Sequence, residues 1–87
     1  MSKLLFYSSV CPDTKAFVEE LERLDIPYES INITESMKNL KAFLKHRDFQ
    51  KEFDEKKDNN QVGVPVLLVH NDHESRYIFD LSELKNI

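Results

Sequence analysis

The chain opens on Leu4-Leu5-Phe6-Tyr7, an apolar run between Lys3 and Ser8. A short run of this kind bounded by polar residues predicts a strand over Lys3 to Ser8 that is buried on both faces. From Pro12 to Leu24 the residues Phe17, Val18, Leu21 and Leu24 fall at helical spacing, with Glu19, Glu20, Glu22 and Arg23 turned away. That pattern predicts an amphipathic helix packed on a sheet. It should end at Asp25-Ile26-Pro27, because proline disfavours helical geometry in the residue before it. Tyr28 to Ile33 alternates and reads as a second strand.

Thr34 or Ser36 can cap a second helix, whose apolar positions Met37, Leu40, Phe43 and Leu44 repeat at three and four. The period slips at His46-Arg47-Asp48. Phe49 and Phe53 restart it on a shifted stripe, which predicts a bend or two consecutive helices with Asp48 as a candidate second cap. Lys56 to Gln61 reads as a solvated helix end and loop, since acidic and amide residues interrupt its lysines. Gly63 to Val69 is a third, buried strand, with a proline tolerated at its start. His70 to Ser75 is a polar turn, and Arg76 to Phe79 pairs back as a hairpin strand. Asp80 with Glu83 resembles a capping box for a last helix, Leu81 to Asn86. The order β-α-β, then α, then β-β-α is an α/β arrangement: a four-stranded mixed sheet with helices on both faces. Such a sheet puts the start of its first helix at the carboxyl edge, where open α/β sheets bind ligands.

With 87 residues the chain has room for one domain, 1–87, with one modest core. The net charge of -4 and pI near 5.3 argue against nucleic acid as a partner, which would call for a clustered basic face. A single cysteine cannot form an internal disulfide, which suits a reducing compartment. Met1-Ser-Lys runs straight into a strand with no long apolar segment of signal or membrane-span type, so a cytoplasmic location away from the membrane is expected.

That cysteine, Cys11, stands between the first strand and the first helix, followed by Pro12 in the first helical turn. Unpaired N–H groups and the positive end of the helix dipole favour thiolate over thiol there. Thr14, three residues on, shares its helical face and can aim a hydroxyl at the sulfur. A lone cysteine in a small domain is also commonly a buried, inert apolar residue, and the local pattern leaves both readings open. His46, His70 and His73 lack metal-ligand spacing with Cys11 and read as surface residues, so no metal site is expected.

Cys11-Pro12-Asp13-Thr14 and Gly63-Val64-Pro65-Val66 together resemble the glutaredoxin branch of the thioredoxin superfamily, over nearly the whole chain. Leu40-Lys-Ala-Phe-Leu-Lys-His-Arg-Asp48 further resembles a bacterial subgroup of glutaredoxin-related proteins. The resemblance implies a thioredoxin-like fold, a cis Val64–Pro65 bond, and a Val64 backbone that lies beside the Cys11 sulfur and pairs with extended thiol substrates. Thr14 stands where dithiol members carry a second cysteine, which implies a monothiol route on glutathione mixed disulfides. In it Cys11 is the nucleophile, Pro12 and the helix start position it, and Thr14 hydrogen-bonds its sulfur. Val64 and Pro65 face the cysteinyl part of glutathione, while Asp80, Leu81 and Ser82 hold its γ-glutamyl end or simply cap the helix. Glutathione would be a co-substrate, glutathionylated protein thiols the partners, and the protein a monomer. The loop before Cys11 offers only Ser8, Ser9 and Val10 where many members carry a basic residue, Asp13 is expected to oppose thiolate formation, and Arg76-Tyr-Ile-Phe79 replaces the usual Gly-Gly pair and is expected to narrow the groove. The alternatives are a thioredoxin-fold binding or redox-sensing module without turnover, and a glutathione-dependent iron–sulfur carrier with one Cys11 per subunit.

Overall fold

A computed structural model describes residues 2–71 and 74–87. Its four strands are β1 (Ser2–Tyr7), β2 (Glu29–Asn32), β3 (Val66–His70) and β4 (Ser75–Ile78), in spatial order β2-β1-β3-β4. β1 pairs parallel with β2 and antiparallel with β3, and β4 closes the antiparallel hairpin. This is the mixed sheet that the chain pattern predicts, in a thioredoxin-like α/β arrangement. Side chains alternate across a strand, so neighbours in β1 and β3 serve different cores. Leu5, Leu67 and Val69 face one side with Phe17, Leu21, Ile78 and Leu84, while Phe6, Val66 and Leu68 face the other with Ile33, Phe43 and Phe53. Helix α1 (Thr14–Arg23) and a C-terminal 3₁₀ helix (Leu81–Asn86) cover the first face. Helix α2 (Met37–Arg47) and a 3₁₀ turn (Lys51–Phe53) cover the second, and the short helix α3 (Asp54–Asp58) continues from that turn without a buried residue.

Several expected boundaries move, each for a local reason. α1 begins at Thr14, and Cys11-Pro12-Asp13 form a turn before it, closed by the Thr14 amide on the Cys11 carbonyl at 3.2 Å. Its end comes before Pro27 acts: Asp25 adopts a left-handed φ of 57°, and the amides of Asp25 and Ile26 fold back on the carbonyls of Glu22 and Leu21. That is a Schellman closure with aspartate in the position glycine usually holds. α3 closes the same way through Asn60, also at φ 57°, with the Gln61 amide on the Lys56 carbonyl at 2.8 Å. Of the two candidate caps for α2, Ser36 accepts from the Asn39 amide at 3.1 Å. Asp48 caps the C-terminus of α2 and starts no helix, the next N-cap being Gln50. Phe53 is fully buried, but Phe49 is exposed, because the chain between α2 and the 3₁₀ turn runs outside the core, and Met37 is exposed at the first position of α2.

Phe53 is the centre of an aromatic cluster, with ring centroids 5.8 Å from Phe43, 5.0 Å from Tyr77 and 5.1 Å from Phe79. His46 is half-buried against it, over Phe6 at 5.4 Å and with Nδ1 2.8 Å from the Tyr77 hydroxyl. The surface reading of His46 is therefore wrong. His70 is exposed and bonds Ser75 at 2.7 Å, and His73 lies outside the described residues.

Two tests follow from these contacts. Replacing Asp25 with glycine removes the left-handed cost of a side chain and an acidic group at the negative end of a helix, and should stabilise the protein by about 0.5–1 kcal/mol in urea unfolding. Burial pushes the His46 imidazole below its ordinary value. The unfolded chain then takes a proton near pH 6.5 while the folded chain refuses it, so stability holds above about that pH and declines as pH falls through the lowered folded value. Urea midpoints between about pH 7.5 and about pH 5.5 should fall for the wild type and fall less for His46→Gln.

Candidate functional site

The site is set by strand register. In the antiparallel β1–β3 pair Phe6 lies opposite Val66, so the residues that follow β1 and those that precede β3 emerge together at one edge of the sheet. Those residues are the Ser8–Asp13 loop and the Gln61–Pro65 loop. The Val64–Pro65 peptide bond is cis. The Cys11 thiol donates to the Val64 carbonyl at 3.7 Å, across 53 positions of sequence. Cys11 is partly exposed, which excludes the inert buried reading for this residue.

Ser8 builds the loop that presents the thiol. It is buried, at 4% exposure, although it is polar, and both its carbonyl and its hydroxyl are used. Its carbonyl accepts from the Cys11 amide at 3.1 Å and from the Thr14 hydroxyl at 2.8 Å. Its own hydroxyl accepts from the Val10 amide at 3.2 Å and meets Thr34 at 3.1 Å. Asn32, at the end of β2, takes the Ser9 amide and the Thr34 hydroxyl on its side-chain oxygen, tying the loop to the edge strand. A serine just after a strand can bond the backbone two residues on, which is the one signal that could have marked Ser8. The Thr14 hydroxyl corrects an expectation: it donates to the Ser8 carbonyl and not to the sulfur, and so it shapes the turn around Cys11.

Across from the thiol, Gly63 is buried at φ +103° and sits on the Phe53 ring. A β-carbon there would lie 3.0 Å from Phe53 Cδ1. The two loops and the C-terminal segment enclose a groove of about 610 Å³, lined by Cys11, Asp13, Val64, Pro65, Asp80 and Leu81 among others. Pro12 and Ser82 are not part of its lining. Asp80 caps the 3₁₀ helix by accepting the Ser82 amide at 3.0 Å, and that bond holds its carboxyl below the ordinary carboxylate range. The Ser82 amide is thus already used, which removes the helix-start contact expected of it.

The groove also recruits residues that sequence reasoning set aside. Lys56, Gln61 and Val62 line it, against the reading of Lys56 to Gln61 as plain solvated loop. Lys56 reaches over the Phe79 ring at 5.1 Å, and Phe79, from the stretch expected to narrow the groove, does line it. Val10, Val62 and Leu81 lie on the groove. They are three of the six large apolar side chains that stay exposed among the described residues.

A thiol on the turn between strand and helix, facing the backbone ahead of a cis-proline at the same sheet edge, is the arrangement of a thioredoxin-like thiol site. The glutaredoxin family model matches residues 4–74, and the chain belongs to the glutaredoxin family. It is 47% identical over 88 residues to an uncharacterised protein of Haemophilus influenzae, covering 100% of this chain and 99% of that relative. No solved structure matches it significantly. Family membership points to chemistry of the thiol–disulfide oxidoreductase type.

Gly63→Ala should test the groove's frame. Both the left-handed backbone and the fixed Phe53 ring oppose the added methyl, so unfolding in urea should show a loss of at least about 2 kcal/mol.

Proposed function

We propose that this protein is a monothiol oxidoreductase acting on glutathione mixed disulfides. The observation that carries the reading is the Cys11 sulfur at the mouth of a peptide-sized groove, against the Val64 carbonyl, in a chain with no second cysteine. The groove lies within the roughly 300–1,000 Å³ range of small-molecule sites. Val64 offers an extended backbone for strand-like pairing with the cysteinyl part of glutathione. Lys56 supplies a cation for a carboxylate, and Asp80 supplies an anion for the γ-glutamyl ammonium, with Leu81 packing beside it. Pro12 and Thr14 act indirectly, by shaping the turn that presents the sulfur.

The thiolate is the attacking form. It attacks the glutathione sulfur of a mixed disulfide, forming a Cys11–glutathione disulfide and expelling the partner thiolate, which takes up a proton. A second glutathione, as thiolate, attacks the glutathione sulfur of that adduct, giving glutathione disulfide and returning Cys11 as thiolate. The net reductant is glutathione, and no resolving cysteine enters.

Incubation with oxidised glutathione should add one glutathione per chain by mass, and a glutathionylated peptide should be turned over. Cys11→Ser should lose both properties while keeping the fold. Thr14→Cys places a thiol three residues from Cys11 and should form an internal disulfide under mild oxidation. A wild type that neither forms the adduct nor turns over the peptide would leave the protein as a binding module.

A further inference from the structure

The stretch Leu40 to Asp48 ends in two side chains that reach beyond their own helix, and the second of them reaches the groove's loop. His46 reaches β4 through the Tyr77 hydroxyl at 2.8 Å. Arg47 reaches the opposite loop: its Nε donates to the Val62 carbonyl at 2.7 Å and a terminal nitrogen donates to the Gln61 carbonyl at 2.9 Å. The remaining terminal nitrogen lies 3.7 Å from its neighbour Asp48, and the side chain is only 23% exposed. A planar guanidinium with donors at fixed separation that takes two successive carbonyls fixes their relative orientation, and with it the course of the backbone between them.

That backbone leads directly to the sulfur. Upstream, the Gln61 amide is held by the Lys56 carbonyl where α3 ends. Downstream, Gly63 is seated on Phe53, and the Val64 carbonyl that follows accepts the Cys11 thiol. Gln61 and Val62 themselves are exposed. Arg47 is the contact that ties their carbonyls to the body of the protein.

We propose that Arg47 is a positioning residue for the Cys11 groove, its guanidinium clamping the Gln61 and Val62 carbonyls so that the Val64 backbone is held in place opposite the sulfur. Arg47 touches no reacting atom and acts through the loop. The proposal rests on the thiol–disulfide reading of the groove, and it deepens that reading by assigning the groove's loop a fixed support.

The test compares wild type, Arg47→Met and Arg47→Lys on one glutathionylated peptide, with backbone ¹⁵N order parameters measured for residues 61–64. Arg47→Met should raise KM about tenfold and leave kcat within about twofold, since a lost positioning contact weakens binding of the extended substrate more than attack by the sulfur. Alkylation of Cys11 by iodoacetamide, which needs no loop, should stay within about twofold of wild type. Order parameters of the loop should fall from about 0.85 toward about 0.6. Arg47→Lys keeps the charge without the fork and should lie between the two. It also carries the test should Arg47→Met fail to fold. Unchanged KM, or loop amides as rigid as in wild type, would overturn the clamp. If wild type shows no turnover, the catalytic reading falls while the order parameters still decide the clamp.

Discussion

The pairing of Phe6 with Val66 governs the rest of this structure. The central residues of β1 and β3 are buried on both faces and committed to one of two cores, with Leu5 and Leu67 on one side and Phe6 and Val66 on the other. A slip of one residue would move each side chain to the wrong core, and for strands buried on both faces no solvent side exists to absorb the error. The register is therefore strongly specified. Because the pair is antiparallel, it also brings the end of β1 against the start of β3, and the loops that carry Cys11 and Val64 have to meet at that edge.

Register brings the loops together without fixing their shapes, and here side chain to backbone bonds take over. The Cys11 turn is wound on the Ser8 carbonyl, which receives both the Cys11 amide and the Thr14 hydroxyl. The opposite loop is tied at Lys56 through the Gln61 amide, at Arg47 through two carbonyls, and at Phe53 through the seat of Gly63. A loop left to solvent would satisfy these groups with water and sample many conformations. These few polar contacts, made at the ends of elements whose packing is already settled, convert a sheet edge into a groove.

The core of this arrangement was legible in the chain because it is written in short-range pattern. Apolar runs in β1 and β3, helical spacing in α1 and α2, and the Ser36 cap each express one local rule, and the structure follows them. What escaped is not written in composition or apolar spacing. The Thr14 hydroxyl is within reach of the sulfur by spacing, but the Ser8 carbonyl six residues back claims it. Lys56 to Gln61 has the composition of a solvated loop, yet the left-handed closure at Asn60 turns it over the groove. Phe49 fits a helical stripe in sequence and is exposed, because the shift between α2 and the next turn breaks that stripe. Asp25 takes a glycine conformation that its residue type does not announce.

The contact between the Cys11 thiol and the Val64 carbonyl joins the two levels of this organisation. The thiol donates to the Val64 carbonyl, in the backbone stretch that the proposed function assigns to an extended substrate. Asp13 lines the groove together with Cys11. The elements that hold the thiol turn and the opposite loop in place are Ser8, which lines the groove, and the Arg47 contacts at the end of α2, which lie behind it.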